Sequence, residues 1–322
     1  MTRLTKRRLH QLLALSLLAG LTTLAGAQSK ITRILVAFPP GGPVDFVART
    51  LTDQLSKELG HQVMVENKAG ANGAIAADTL LKAPADGQTL WLTSVGAVAI
   101  NPSLYPNLAY DPIRDFAPVS LVVNNVEMLV VNPSNPVNNP QEFIAAAKIK
   151  RVTMASSGTG SVPHLAMELL ADATHTDLVH IPYKGAAPAI TDVMAGHVDG
   201  FFGDIPGLMG QVRNGKLKPV AIAATRRHPL FPDVKTFQEI GVQGVDSDNW
   251  YALFAHKNTP PAELERLNQA VRRTLATESV RNKLITSGAE PSGNSSAELN
   301  ALLKTDMAKW GRVIRLKKIT AD

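Results

Sequence analysis

The sequence contains no cysteine among its 322 residues. Disulfides, thiolate chemistry and cysteine-ligated metals are therefore excluded, and stability has to come from an apolar core. Aromatic residues make up only 5% of the chain, so few side chains could stack on a ligand. Beyond residue 27, no apolar run is long enough to cross a bilayer. The remaining chain is long enough for two ordinary domains.

The first 27 residues predict a secretory signal peptide. A basic start (residues 3–8) precedes an uncharged run rich in Leu and Ala (residues 12–24), and Ala25-Gly26-Ala27 offers a cleavage site. An N-terminal membrane helix is the alternative, but the apolar run is short for a span of about 20 residues. The Arg7-Arg8 pair leaves a twin-arginine export route open. We expect cleavage after Ala27 and a periplasmic location.

The excess positive charge belongs to this leader. The chain has 33 Lys+Arg and 27 Asp+Glu, and four of the basic residues lie in the leader. The remainder has 29 against 27, a net charge of +2. The high isoelectric point therefore does not indicate nucleic-acid binding, and we expect no nucleic-acid partner.

Short β-rich runs alternate with helical patterns along the rest of the chain, which predicts α/β layers. The pattern occurs twice and then returns, because Trp250–Ala255 reads as a strand that rejoins the first unit. We therefore predict two lobes with a ligand cleft between them. Residues 30–134 and 247–322 would form lobe 1, and residues 135–246 would form lobe 2.

Two glycine-rich turns carry the strongest functional signal. Residues 38–45 (FPPGGPVD) and residues 156–161 (SSGTGS) each stand between a predicted strand and a helix start. Unpaired backbone N–H groups and the positive end of the helix dipole make such turns anion sites. An ordinary strand-to-helix turn is the alternative for either one alone. One turn in each lobe predicts that a small anion is held between them.

The sequence motifs give little support for an enzymatic site or a metal site. The P-loop and dinucleotide-binding glycine patterns are both absent. Ser157 with His164 as base could suggest a serine hydrolase, but the usual G-x-S-x-G turn is missing. His175 and His180 are poorly spaced for a metal. We therefore expect no catalytic residues, no metal and no cofactor.

Several segments in register resemble one known family, the Bug receptors of tripartite tricarboxylate transporters. These segments are residues 38–45, 66–73 (ENKAGANG), 100–105 (INPSLY), 157–164 (SGTGSVPH) and, most specifically, 180–199 (HIPYKGAAPAITDVMAGHVD). The resemblance implies a type II periplasmic binding fold, hinge closure, no enzymatic activity and capture of a carboxylate for membrane permease subunits. Val44 and the pair Val162-Pro163 depart from the family by replacing smaller or hydroxyl-bearing residues.

We expect a monomer that captures a small organic carboxylate, which could be a dicarboxylate, an amino acid or an aromatic acid. A sensory receptor that presents the solute to a signalling partner is the alternative. His164 and Asp204 are expected to brace the site. The full predicted set is Phe38, Pro39, Gly41, Gly42, Pro43, Asp45, Asn72, Ser94, Ser157, Gly158, Thr159, Gly160, Ser161, His164, Tyr183, Lys184, Gly185 and Asp204.

Overall fold

A computed structural model describes residues 30–320 of the chain. The predicted signal peptide and its cleavage after Ala27 lie outside the described residues. No helix within residues 30–320 is long and apolar enough to cross a membrane.

The described chain forms two β-sheets. The first has six strands in the order β11-β4-β10-β3-β1-β2, and the second has five in the order β7-β6-β8-β5-β9. The first sheet contains β1 Ile31–Val36, β2 Gln62–Asn67, β3 Thr89–Ser94, β4 Phe116–Asn125, β10 Asn249–His256 and β11 Glu290–Pro291. The second contains β5 Glu127–Val131, β6 Val152–Ser156, β7 Leu178–Pro182, β8 Gly200–Asp204 and β9 Lys218–Ile222.

Helices cover both sheets. Those of the first lobe are α1 Pro43–Leu59, α2 Ala74–Leu81, α3 Asn101–Leu104, α4 Pro112–Asp115, α9 Pro261–Ala276, α10 Glu278–Ser287 and α11 Ser296–Lys317. Those of the second are α5 Pro140–Ile149, α6 Val162–Thr174, α7 Ala186–Ala195 and α8 Ile205–Arg213. A π-helical turn, Gly96–Ile100, leads into α3. Two sheets, each covered by helices, confirm the predicted two-lobed α/β fold.

The parallel strands indicate which edge of each sheet faces the cleft. β1 pairs in parallel with β2 and β3, and β6 pairs in parallel with β7 and β8. Each of these strands is followed at its carboxyl end by a helix or helical turn, either directly or after a loop. Open α/β sheets bind ligands at that edge, beyond the carboxyl ends of their strands.

The chain passes between the sheets twice. β4 ends at Asn125 and β5 begins at Glu127, so the first crossing is at Val126. The second crossing lies between β9 and β10. The predicted boundary at residue 134 placed β5 in the first lobe, and this is wrong because β5 pairs with β8 and β9. Every residue of β5 is buried, as a strand in the middle of a sheet requires.

The first sheet has an apolar core on each face. One core is formed with α1, α9 and α10 and includes Leu51 and Leu253. The other is formed with α2 and α11 and includes Trp91 and Trp310, whose side chains are fully buried. Long α11 therefore fixes the return of the C-terminal segment to the first lobe.

The start of α11 is a capping box. The Ser295 hydroxyl accepts the Glu298 N–H at 3.2 Å, and a Glu298 carboxylate oxygen accepts the Ser295 N–H at 2.8 Å. Each side chain thus pairs a backbone donor that the helix leaves free.

Replacing Ser295 with Ala should lower the free energy of unfolding by about 1 kcal/mol, because one of these donors loses its partner. Urea denaturation measures the change. Thr305→Ala is the matched control, since Thr305 is an exposed hydroxyl in the same helix that bonds only the Ala301 carbonyl. Equal stability of the Ser295 variant and the parent would contradict the cap.

Candidate functional site

A pocket lies between the lobes and takes its walls from both sheets. It contains about 450 Å³ free of protein atoms, open solvent included. None of the lining residues is Lys, Arg or His. They are Phe38, Pro39, Gly42, Pro43, Val44, Ser94, Ser157, Ser161, Val162, Pro163, Ala186, Phe201, Asp204, Asn249 and Tyr251.

Three helices have their first residue in the wall of this pocket, one from the first lobe and two from the second. They are α1 at Pro43, α6 at Val162 and α7 at Ala186. A fourth, α8, begins at Ile205, directly after the lining residue Asp204. N–H groups in the first turn of a helix have no partner within the helix, and the helix dipole makes that end positive. The helix ends therefore make this pocket favourable for a negative charge, although none of its lining side chains is cationic.

The first glycine-rich turn is held in shape by Asp45. Its carboxylate accepts the Gly41 N–H at 3.0 Å, Arg49 Nε at 2.9 Å and Asn67 Nδ2 at 2.9 Å. Burial raises the pKa of Asp45, but hydrogen bonds from Arg49, Gly41 and Asn67 outweigh burial and hold that pKa below its usual value. Asp45 and Gly41 do not line the pocket. They shape the turn that presents Gly42 and Pro43.

The second glycine-rich turn contributes Ser157 and Ser161 to the pocket. Behind them, His164 is buried, accepts the Gly160 N–H through Nδ1 at 3.2 Å, and stacks on His180 with ring centroids 3.9 Å apart. The hydroxyl that meets a histidine is that of Ser156, 2.6 Å from His180 Nε2, and Ser156 is fully buried. His164 thus braces the loop and is not placed as a base for Ser157.

The remaining predicted residues surround a second pocket beside the first. Asn72, Gly158, Thr159, Tyr183, Lys184 and Gly185 line it, together with Phe38, Pro39 and Ser157, which both pockets share. Tyr183 donates to Asp192 at 2.6 Å, which turns its hydroxyl toward α7. The structure therefore places most of the predicted set around two adjacent pockets, called here the inner and the outer pocket, while Gly41, Asp45, Gly160 and His164 line neither.

The lobes touch across these pockets. Asn72 Nδ2 donates to the Gly160 carbonyl at 2.8 Å, and the Tyr105 hydroxyl donates to the Thr159 carbonyl at 3.3 Å. A third contact between the lobes is the ion pair of Lys317 on α11 with Asp172 on α6. Gly160 lines neither pocket and serves this contact through its backbone. The structure therefore has the cleft closed.

Sequence reasoning missed the floor of the inner pocket, where Asn249 and Tyr251 of β10 meet Asp204. Asn249 Nδ2 donates to Asp204 Oδ1 at 3.0 Å, and the Tyr251 hydroxyl donates to Asp204 Oδ2. Asn249 and Tyr251 are two residues apart on one strand, so they share a face. That spacing at the start of the returning strand was the signal available in the sequence.

Glu127 lies next to Asp204 on the neighbouring strand and was also not predicted. It is the register partner of Asp204 across β5 and β8, and its side chain is fully buried. Its Oε1 lies 3.4 Å from Asn249 Nδ2, while its Oε2 has no hydrogen-bond partner within residues 30–320. Burial, and then the charge of Asp204, raise the pKa of Glu127 well above its usual value. Burial likewise raises the pKa of Asp204 to about 6, against the opposing hydrogen bonds from Tyr251 and Asn249.

No group of three or more His, Asp or Glu side chains in the described part of the chain is placed to hold a metal ion. The chemistry that this pocket offers is thus hydrogen bonding from backbone, hydroxyl and amide groups, with one carboxyl on its floor.

Glu127→Gln should make the protein more stable at neutral and alkaline pH. A carboxyl whose pKa is raised on folding keeps its full stability only below its unfolded pKa, and stability is lost as the pH rises toward the folded pKa. The variant should therefore match the parent near pH 4 and exceed it by about 1 kcal/mol or more near pH 8. Denaturation at several pH values measures this difference.

Glu142→Gln is the control of opposite sign. Backbone and side-chain hydrogen bonds from Asn138 and Asn139 outweigh a small burial effect and lower the pKa of Glu142. Its contribution is present above its unfolded pKa and is lost as the pH falls. The Glu142 variant should thus be the less stable one near pH 7. A stability gain for the Glu127 variant that stayed constant with pH would show that Glu127 does not titrate in the folded protein.

Comparison with known proteins agrees with this architecture. Residues 47–319 match the model of the tripartite tricarboxylate transporter family receptor. BugT of Bordetella pertussis is 34% identical over 88% of this chain and 88% of its own. MatC from Rhodopseudomonas palustris, solved with bound malate, is 33% identical with a TM-score of 0.83 over 88% of this chain and 99% of its own. The protein Rpa4515 of R. palustris, solved with adipate, is 30% identical with a TM-score of 0.88 over 91% of this chain and 99% of its own.

The family match covers most of the chain, and relatives above 30% identity align over nearly the whole of it. The resemblance read from the sequence motifs is thereby confirmed. The chain belongs to the tripartite tricarboxylate transporter receptors, the Bug family of periplasmic solute-binding proteins.

Proposed function

We propose that this protein captures a small organic carboxylate in the inner pocket and delivers it to the membrane permease subunits of a tripartite tricarboxylate transporter. The observation that carries the proposal is the meeting of three helix starts from two lobes at a pocket without Lys, Arg or His. Helix N-termini bind anions through backbone N–H groups and the helix dipole. The ligands seen in MatC and Rpa4515, malate and adipate, belong to the same chemical class.

Both lobes contribute to the predicted ligand contacts. Gly42, Pro43 and Ser94 would hold the ligand from the first lobe, and Ser157 and Ser161 from the second. Hydroxyl groups can donate to a carboxylate oxygen, and the turns leave backbone donors beside them. Val44, Val162 and Pro163 make the neighbouring wall apolar. An organic anion with a short carbon chain fits this combination of donors and apolar wall.

Capture depends on closure. A ligand that touches both lobes stabilises the closed arrangement only because it binds that arrangement preferentially. A permease that recognises the closed form would then distinguish loaded receptor from empty receptor. Catalysis is not part of this proposal, since Ser157 lacks a histidine partner and the family consists of receptors.

A thermal-shift screen tests the ligand class. The panel contains malate, succinate, adipate, glutamate and benzoate, with glucose and putrescine as the neutral and cationic comparisons. A carboxylate at roughly 100 times its Kd should add about 2.7 kcal/mol of stability. Stabilisation by glucose or putrescine and by none of the acids would reject capture of a carboxylate.

Gly185→Ala tests closure. Gly185 has a φ of +113°, and a Cβ there would lie 2.6 Å from Pro39 Cδ of the opposite lobe. The added methyl should hold the lobes apart and weaken ligand binding by about tenfold or more, that is about 1.4 kcal/mol or more. Isothermal titration calorimetry with the acid that stabilises most in the screen measures Kd.

Gly196→Ala is the matched control. Gly196 also lies in the second lobe with a positive φ of +75°, but its Cβ would meet only Asn132 Nδ2 at 3.8 Å. Both variants carry backbone strain, and only the Gly185 variant collides with the first lobe. Equal losses of affinity in the two would mean that strain, and not obstructed closure, is the cause.

A further inference from the structure

The inner pocket places a carboxyl group in a site built for anions. Asp204 ends β8, is 8% exposed and lines the pocket that three helix starts share. Tyr251 is the other titratable residue in the lining. Burial raises the pKa of Tyr251 well above its usual value, so its phenol is neutral and acts as a donor. An anion that enters the pocket thus meets Asp204 as the group of its own sign.

The elements packed around Asp204 supply no compensating cation. From β5 it faces Glu127, and from β10 it faces Asn249 and Tyr251. On α1, the Asp45 charge is already paired with Arg49, and on α6, His164 is turned to Gly160 and Glu168. Arg226 and Asp248 line a different cavity. None of these groups neutralises Asp204.

Two negative charges on Glu127 and Asp204 would be unfavourable. The two residues stand opposite each other on adjacent antiparallel strands, where like charges repel. Both accept from the same Asn249 Nδ2, and the other oxygen of Glu127 has no partner among the described residues. The raised pKa values of both groups agree with this geometry. The pair therefore favours a state with one proton shared between the two carboxyl groups, as coupled carboxyls do.

We propose that Asp204 determines the specificity of the pocket by requiring a proton between its carboxyl group and the bound anion. This rests on the proposed function. This proton can come from either partner. A ligand with a hydroxyl or ammonium group donates its own proton to Asp204. When a ligand has only acceptors, Asp204 takes up a proton from solvent as the ligand binds.

The two sources differ in pH dependence. A ligand with its own donor binds the ionised Asp204, so its affinity changes little above the pKa of Asp204. An acceptor-only ligand binds the protonated form, so its affinity is constant below the pKa of Asp204 and falls as the pH rises through it. Above that pKa the loss approaches about tenfold per pH unit, with uptake of about one proton per ligand.

Succinate, malate and aspartate form a matched series, because they differ only by a hydrogen, a hydroxyl and an ammonium group on one carbon. Isothermal titration calorimetry should be run from about pH 5.5 to 8.5, in buffers that differ in ionisation enthalpy. The Kd of succinate should rise by about tenfold or more across neutrality, with proton uptake. The Kd of malate or of aspartate should change less than about threefold between about pH 6.5 and 8.5.

Asp204→Asn should remove the pH dependence of succinate binding and bring the Kd values of the three acids closer together. Tyr251→Phe provides a second variant should the first not fold. It deletes the hydrogen bond that lowers the pKa of Asp204, so the midpoint for succinate should shift to higher pH. Asp306→Asn is the control. Burial also raises the pKa of Asp306, which accepts Trp250 Nε1 away from the pocket, so this variant should keep the parent's pH profile.

The outcomes separate the two proposals. Absence of binding by every carboxylate of the panel at every pH would overturn the proposed function, and this inference with it. Binding of succinate with a pH-independent Kd, or a pH profile that Asp204→Asn leaves intact, would overturn the role of Asp204 alone and leave carboxylate capture standing.

Discussion

Backbone N–H groups in the first turn of a helix have no partner inside the helix. The fold of this protein brings several such helix starts to one pocket. α1, α6 and α7 all begin at the inner pocket. The strand-to-helix turns are therefore rich in glycine and hydroxyl residues, which let a ligand approach the backbone closely. Side chains around the turns mostly serve to hold these turns in place. Asp45 does so in the first lobe, and His164 does so in the second.

This dependence on backbone explains why much of the site could be read from the sequence. Turns such as PPGG before a helix and SSGTGS before another mark their own conformation, because the residue types reflect local backbone geometry. The start of α1 at Pro43, its end at Gly60 and the capping box at Ser295 are equally local, because each follows from residue types that favour its position. Each depends on neighbours within about five residues in the chain.

Features that depend on distant parts of the chain were not predicted. β4 lacks a regular strand pattern because Pro118 interrupts it, and this strand tolerates the proline near a bulge against β10. β5 was assigned to the wrong lobe because a buried strand looks the same in either sheet. Asn249 and Tyr251 were missed because their function arises only where β10 meets Asp204, which is 45 residues from Asn249 along the chain.

One ion pair joins the two lobes outside the pocket. α11 belongs to the first lobe, yet Lys317 near its end reaches Asp172 on α6 of the second. The two residues are 145 positions apart in the chain and belong to different lobes. An opening of the lobes that parted them would turn a neutral pair into two separate charges. The charge pattern of this surface thus depends on how the two lobes are arranged.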